Sequence, residues 1–398
     1  MTSKRLLGAM LTLIAANTSA ADWSYDPRVT VSGLYNDNYQ LTDIPSNEID
    51  VAGAELNAEL GLRAQTPRSL LRLTPRWRST YLPGDESQEA DDYFVPMLAK
   101  YETERGVALI RLDYSSIVTL GSFFPSATVS EGDVLGERDP GVGVGSAGRN
   151  RQDRILIRPR VGYDLFERHR VELDFEYLDV TYDIQVSGDR EDYQNALVAI
   201  GYQYQLSETS SLAIRAGISK FEPADDESTD AQGLNVEWRN RISDTAEAYV
   251  RAGGNRVESI DDDGDSTWDT GFSGGAGVRW KFEVTDVWLD ATTNLDPNST
   301  GEIVNRNHLW LQVGRQLSPK SRLSVGGRVI DDSGTGDSED SFTDRTYAVA
   351  NMGYEWRFAR TWALVAWYEY SWQEFQGSPT NAQANSLKLG VTWEPNRR

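Results

Sequence analysis

Apolar and polar residues alternate with a period of two along nearly the whole chain, in segments of roughly 10–15 residues. In 52–63, Ala52, Ala54, Leu56, Ala58, Leu60 and Leu62 share one face, and Glu55, Asn57, Glu59 and Arg63 share the other. In 69–81, Leu71, Leu73, Pro75, Trp77 and Tyr81 oppose Arg72, Thr74, Arg76, Arg78 and Thr80. In 154–163, Ile155, Ile157, Pro159, Val161 and Tyr163 oppose Arg154, Leu156, Arg158, Arg160 and Gly162. Near the C-terminus Leu387, Leu389, Val391 and Trp393 alternate with Lys388, Gly390, Thr392 and Glu394. Such segments are strands with two different faces, because successive side chains of a strand point to opposite sides.

The pattern predicts eighteen strands, at 28–39, 50–64, 69–82, 91–103, 106–119, 152–164, 169–183, 191–206, 210–221, 230–241, 245–257, 268–283, 286–296, 304–316, 321–331, 344–358, 361–374 and 384–394. Connections alternate in length. Thr66-Pro67, Glu104-Arg105, 166–168, 207–209, Ser243-Asp244, Val284-Thr285, 318–320 and Ala359-Arg360 are short, whereas 40–49, 83–90 and 120–151 are long. A soluble sandwich or propeller has shorter strands and no such alternation. The expected fold is therefore an all-β, antiparallel, up-and-down transmembrane barrel in a Gram-negative outer membrane, with short periplasmic turns and long extracellular loops. Aromatics support it. Tyr101, Tyr163, Tyr204, Trp238, Trp280, Phe282, Trp356, Phe358, Trp362 and Trp393 lie beside short turns. Tyr35, Tyr81, Tyr93, Tyr177, Phe272, Tyr370 and Trp372 lie near long loops, so two girdles flank an apolar band.

Residues 1–20 read as a secretory signal peptide, and 21–398 as one barrel domain. Lys4 and Arg5 form the basic start, Leu6–Ala16 is an apolar stretch too short to span a bilayer, and Thr18-Ser19-Ala20 offers small residues for cleavage.

Composition narrows the function classes. The chain has no Cys, which removes disulfides, thiolate metal sites and cysteine catalysis. Its 39 Lys and Arg against 61 Asp and Glu give a net charge of −22, which argues against a nucleic-acid partner. The excess is confined to 84–92, 222–230, 258–269 and 331–344, which carry acids and no Lys or Arg. The acidity is thus expected to sit in extracellular loops around a charge-balanced barrel.

A barrel of this size leaves an aqueous interior, and strand parity assigns its lining. Arg72, Arg76, Arg78, Arg154, Arg158, Arg160, Arg215, Arg239, Arg241, Arg251, Arg279, Lys281, Arg328, Arg357 and Lys388 fall on the interior face. So do the acids Glu55, Glu59, Asp113, Glu172, Asp174, Glu176, Glu237, Glu247, Glu355 and Glu369. Two readings stand side by side: charges that pair across strands and stiffen the wall, or a basic zone that lowers the barrier for an anionic solute. The strongest basic cluster is expected from Arg72, Arg76 and Arg78 with Arg154, Arg158 and Arg160. Interior Trp288, Trp310 and Trp367 are candidates for stacking on sugar rings.

Loop 120–151 is the longest and glycine-rich, and either folds inward as a constriction or stays outside. Asp261, Asp263 and Asp265 form a weak candidate calcium loop, without the full spacing of an EF-hand. A solvated acidic loop bridged by divalent cations to lipopolysaccharide is the simpler reading. His169 and His308 are the only histidines and fall at opposite membrane sides, so no histidine-based catalysis is expected. No phosphate loop, dinucleotide fingerprint or cofactor motif is present, and an enzyme is not expected.

Two segments, Val31–Thr42 (VSGLYNDNYQLT) and Tyr101–Ser116 (YETERGVALIRLDYSS), resemble a β-barrel porin family associated with exopolysaccharide secretion, similar in role to alginate-export barrels. Loop 120–151 is longer than that family's usual connection. The resemblance implies an outer-membrane channel that passes a secreted acidic polysaccharide outward, with lipid, lipopolysaccharide, the polysaccharide and a periplasmic export component as partners. A general or anion-preferring diffusion porin is the alternative. A non-conducting scaffold or adhesin is the third reading.

Overall fold

The computed structural model describes residues 21–83, 89–119, 150–183, 192–224, 228–260, 266–297, 303–334, 344–375 and 380–396. The proposed signal segment, the central part of loop 120–151 and Asp261, Asp263 and Asp265 lie outside the described residues. The first strands are β1 (Asp22–Asn36), β2 (Val51–Gln65), β3 (Ser69–Leu73), β4 (Arg76–Tyr81), β5 (Ala90–Glu102) and β6 (Gly106–Thr119). Then come β7 (Asn150–Phe166), β8 (His169–Tyr182), β9 (Tyr193–Gln205), β10 (Ser210–Pro223), β11 (Ser228–Ser243), β12 (Ala246–Ile260) and β13 (Ser266–Lys281). The circuit finishes with β14 (Thr285–Pro297), β15 (Ile303–Ser318), β16 (Ser321–Gly334), β17 (Arg345–Arg357), β18 (Trp362–Phe375) and β19 (Asn381–Trp393).

Apart from β3 and β4, successive strands pair antiparallel with each other, and β1 closes the ring on β19 from Val29–Trp393 to Asn36–Ser386. Strands β3 and β4 are one stave, since both lie between β2 and β5. The barrel therefore has eighteen staves. The interruption sits at Thr74-Pro75, where proline supplies no N–H to the ladder. The stave nevertheless continues, because Leu60 N–H donates to Pro75 O at 3.0 Å and Thr74 N–H to Pro96 O at 3.1 Å. The even number of staves puts both ends of the ring on the short-turn side.

Parity fixes the two faces. Ile200, Leu389, Val161 and Leu173 are more than half exposed, all on the outward side. A continuous apolar exterior of this extent belongs in lipid, which a closed ring of paired strands can span. Tyr81 and Phe272 toward the long loops, and Tyr101 and Tyr163 beside the short turns, mark the two interfacial girdles. The chain is an outer-membrane β-barrel.

The acidic spans divide differently from the sequence reading. Asp91 and Asp92 belong to β5, Glu258 to β12, Asp269 to β13, and Asp331 and Asp332 to β16. Asp92 and Asp332 turn inward and are buried. Alternation locates strand ends poorly where polar residues continue into the ladder, so part of the expected outer acidity lines the interior.

Two features narrow the extracellular end from inside. Residues 37–50 fold onto the inner wall, where Leu41 joins a buried cluster with Ile330, Tyr347, Val349, Ala382 and Ala384. Leu41 has φ 48°, a left-handed conformation uncommon for a branched side chain. Asn38 stabilises the bend: its Nδ2 donates to Thr42 O at 2.9 Å and to Gln383 O at 3.0 Å, and its Oδ1 accepts from Thr42 N–H at 3.1 Å.

The second feature departs from the expectation that 286–296 and 304–316 are ordinary wall strands throughout. The β13–β14 ladder runs only from Lys281–Asp286 to Gly274–Thr293. Beyond it, β12–β13 continues to Ile260–Ser266 and β14–β15 to Pro297–Ile303. The outer half of the β14–β15 hairpin has left the wall. A Cβ built on Gly275, on the interior face, would meet Ala291 O at 2.8 Å and Thr292 Cγ2 at 2.9 Å. The β14 backbone thus comes very close to β13 at Gly275, still the ladder partner of Thr292, and no larger residue fits there. A Cβ on Gly271, also inward, would lie 3.9 Å from Leu295 Cδ2, although Leu295 has the outward parity of its strand. Ile303 then packs against Leu156, Leu178, Val180, Tyr182, Tyr193 and Phe221, which belong to β7–β10. Five staves, β10 to β14, lie between β9 and β15 along the ring, so this contact bridges the interior.

Candidate functional site

Register sets residues of the assigned interior parity beside one another: Arg72 stands opposite Arg63, Arg76 opposite Glu59, Arg78 opposite Asn57, Arg160 opposite Asp174 and Arg239 opposite Tyr249. Trp288, Trp310 and Trp367 share that face with Arg279, Arg328 and Lys388 respectively.

Most of the arginines are paired. Arg78 Nε donates to Asp92 Oδ2 at 2.9 Å, and Arg158 Nε lies 2.7 Å from Glu176 Oε2. Arg160 pairs with Asp174, to which Arg215 also reaches at 3.5 Å. Arg239 bridges Glu237 and Glu247 at 3.0 and 2.9 Å, Arg357 meets Glu355 at 2.9 Å, and Lys388 meets Glu55 at 2.7 Å. Within the basic cluster read from the sequence, Arg78, Arg158 and Arg160 thus each meet a carboxylate supplied by a neighbouring stave. Arg241 instead donates to the Glu208 carbonyl at 3.0 Å, and Arg251 to Asn294 Oδ1 at 3.1 Å.

Arg63 and Arg72 differ. They face each other across β2 and β3 toward the periplasmic end, and among the described residues neither makes an ion pair. Like charges directly opposite are held apart only by water and distance, so this is a locally positive stretch of wall. Arg76 lies with its guanidinium carbon 4.0 Å from the Phe94 ring centroid, a cation–π contact inside the barrel.

The bridge between the β14–β15 tip and β7–β10 gathers charged and aromatic residues from distant staves. Buried Tyr193 lies there within electrostatic reach of Arg154 from β7 and of Arg306 and Asp296 from the hairpin. Arg306 is itself clamped by Asp332, with Nε–Oδ1 at 2.6 Å and Nη2–Oδ2 at 3.0 Å, and Arg345 adds a contact to the same carboxylate at 2.9 Å. The bidentate geometry fixes where the guanidinium points, and all three residues are buried. Sequence reading missed this triad. Its only legible signal was that Arg306, Asp332 and Arg345 share interior parity at three consecutive strand ends.

On the periplasmic side of the bridge, Trp288 and Trp310 meet with ring centroids 4.8 Å apart and planes tilted by 55°. The Arg279 guanidinium carbon lies 5.4 Å from the Trp288 centroid. Asp290, opposite Trp310 in register, accepts the Tyr249 hydroxyl. The group combines an aromatic shelf with a cation and a carboxylate. Trp367 stands apart from it, two staves beyond Arg328, with its ring over Gly353. Among the described residues no group of His, Asp and Glu side chains is arranged to hold a metal ion. His169 meets the Tyr202 hydroxyl at 2.5 Å at a short turn, and His308 lies on the interior face of β15.

No family model matches the chain, and no curated protein matches it. Solved structures similar to it include OccK2 (OpdF) of Pseudomonas aeruginosa, with 9% identity over 94% of this chain and 97% of that one, at a TM-score of 0.46. OccK2 has also been solved in complex with glucuronate. A BenF-like porin from Pseudomonas fluorescens Pf-5 is 8% identical over 94% of this chain and 99% of that one, at a TM-score of 0.48. OccAB4 of Acinetobacter baumannii is 10% identical over 95% of this chain and 99% of that one, at 0.44. Nothing about the cargo passes from these likenesses to this chain.

Proposed function

We propose that the protein is a passive outer-membrane diffusion channel that favours small anionic solutes with a ring body, such as sugar acids. The bridge at the outer mouth carries this reading. Arg154 of β7 and Arg306 of β15 both lie within electrostatic reach of Tyr193, and Arg306 and Arg345 share the single carboxylate of Asp332, so basic residues outnumber acids where the bridge meets the wall. Polar groups lining a narrow passage set which ion pays the smaller desolvation cost. Below it, the Trp288–Trp310 shelf and Arg279 offer an apolar platform beside a cation, suited to a pyranose face and its carboxylate. Arg63 and Arg72 extend the positive wall toward the periplasm.

Export of an acidic polysaccharide, which the resemblance implied, requires a continuous bore for a chain of linked rings. A hairpin tip reaching from β15 to β9 and β10 favours monomers over polymers. The deciding experiment is reconstitution in planar bilayers and liposomes. Reversal potentials in a salt gradient are expected to show anion preference, and liposomes are expected to swell faster in a monomeric uronate than in a neutral hexose of similar size. Equal rates together with cation preference would overturn the reading. Passage of an acidic oligosaccharide at a rate comparable to the monomer would restore export.

A further inference from the structure

The outer half of the β14–β15 hairpin sits inside the barrel, yet its sequence is that of a wall strand. Asn294 and Asp296 carry the inward parity and Leu295 the outward one, the alternation that suits a stave with lipid on one side. Continuing the register past Gly274–Thr293 would set Ser273 opposite Asn294, Phe272 opposite Leu295, Gly271 opposite Asp296 and Thr270 opposite Pro297. The matching stretch of β13 is already extended and hydrogen-bonded to β12 on its far side. Its residues 266–270 are exposed, and Phe272 is 61% exposed on the lipid face. Two strand edges of complementary parity thus lie side by side without a ladder between them.

We propose that the β14–β15 hairpin is a door in the barrel wall with two seated positions. In the closed position, seen here, Leu295 rests on the inner side of Gly271 and Ile303 on the β7–β10 cluster. In the open position β14 zips onto β13 in the continued register, Leu295 moves to the lipid face beside Phe272, and the bridge across the interior is withdrawn. The hinge is the β15–β16 ladder, continuous from Gln316–Arg322 to Val304–Gly334. The pivot is Gly274-Gly275, the last laddered positions of β13, where the absence of a side chain at Gly275 admits the close approach of Ala291 O and Thr292. Each position exchanges one set of interactions for another. Closing buries Leu295 and Ile303, and opening restores ladder hydrogen bonds along two exposed edges. Such an exchange gives discrete states rather than a continuous range.

The chain has no Cys, so engineered pairs report without background. G271C/L295C joins residues that touch only in the closed position, and F272C/L295C joins residues that are register partners only in the open one. Both are to be made in the full barrel, oxidised after folding into vesicles and scored by gel mobility and by single-channel conductance. The proposal expects both disulfides to form. F272C/L295C should then raise conductance at least twofold over its reduced form, reversibly with dithiothreitol, while G271C/L295C holds it at or below the reduced level. G271C/D296C supplies a second open-register pair should F272C/L295C fold poorly, as judged by heat-modifiable migration. If only G271C/L295C forms, or if an open-register disulfide forms without a change in conductance, the hairpin is a fixed constriction and the door is refuted. Disulfide formation is read without any cargo, so this result is independent of the anion preference proposed above.

Discussion

Arg306 of β15 and Asp332 of β16 form a bidentate pair, Nε–Oδ1 at 2.6 Å and Nη2–Oδ2 at 3.0 Å, inside the outer end of the barrel. Neighbouring Asp331 points the other way and is exposed, accepting from Thr346 Oγ1 at 2.9 Å. Removing the Asp332 charge strips two buried guanidiniums, Arg306 and Arg345, of their carboxylate. Asp332→Asn is therefore expected to destabilise the barrel by about 3 kcal/mol. Asp331→Asn should cost about 1 kcal/mol or less. Urea unfolding in lipid vesicles compares the two, and equal midpoints would show that the pair does not anchor the hairpin base.

Leu41 combines burial, at 3% exposure, with a left-handed backbone. Leu41→Ala removes the side chain from the cluster with Ile330 and Tyr347 and keeps the strain, at a cost of roughly 2–3 kcal/mol. Leu41→Gly removes the same contacts but relieves roughly 1 kcal/mol of left-handed strain. The glycine variant should thus be no less stable than the alanine one, the reverse of the usual order. A glycine variant clearly weaker in urea would mean that the 37–50 segment carries no strain at this residue.

Charge selectivity should depend on which arginines lack a carboxylate. Arg63→Gln with Arg72→Gln removes two charges that form no ion pair among the described residues, and is expected to shift the reversal potential toward cations. Arg158→Gln with Glu176→Gln removes both members of a 2.7 Å pair and should leave it nearly unchanged. Similar shifts for both double variants would mean that local pairing does not screen the wall.

The aromatic shelf makes a separate prediction. Trp288→Ala with Trp310→Ala should weaken current block by a monomeric uronate roughly tenfold, a loss of about 1.4 kcal/mol. Conductance in plain salt should stay close to the parent value. Unaltered block would remove the stacking role from the proposed function.

Much of the barrel was legible because each stave's faces are written in its own alternation. Arg72, Arg158, Trp288 and Glu369 all fall on the side that parity gave them. What parity does not carry is the identity of the opposing residue. Asp92 and Asp174 neutralise Arg78 and Arg160 from neighbouring staves, and that depends on how turn lengths set the offset between strands. Asp332 was hidden for a further reason. It lies in an acidic run, 331–344, whose composition reads as loop, although the ladder extends to Gly334.

By itself, then, the sequence determined a two-faced, eighteen-stave ribbon, its apolar exterior, its charged interior and the end at which its long connections lie. Those follow from steric alternation along a strand and from the cost of unpaired backbone in lipid, both local rules. Only the tertiary structure decided that the β14–β15 tip leaves the wall. Leu295 obeys the alternation of a wall strand in either position, so its own pattern cannot tell lipid from the inner side of Gly271. The choice rests on contacts with β7–β10, far away in sequence, and on the small residues of β13 that let the hairpin cross.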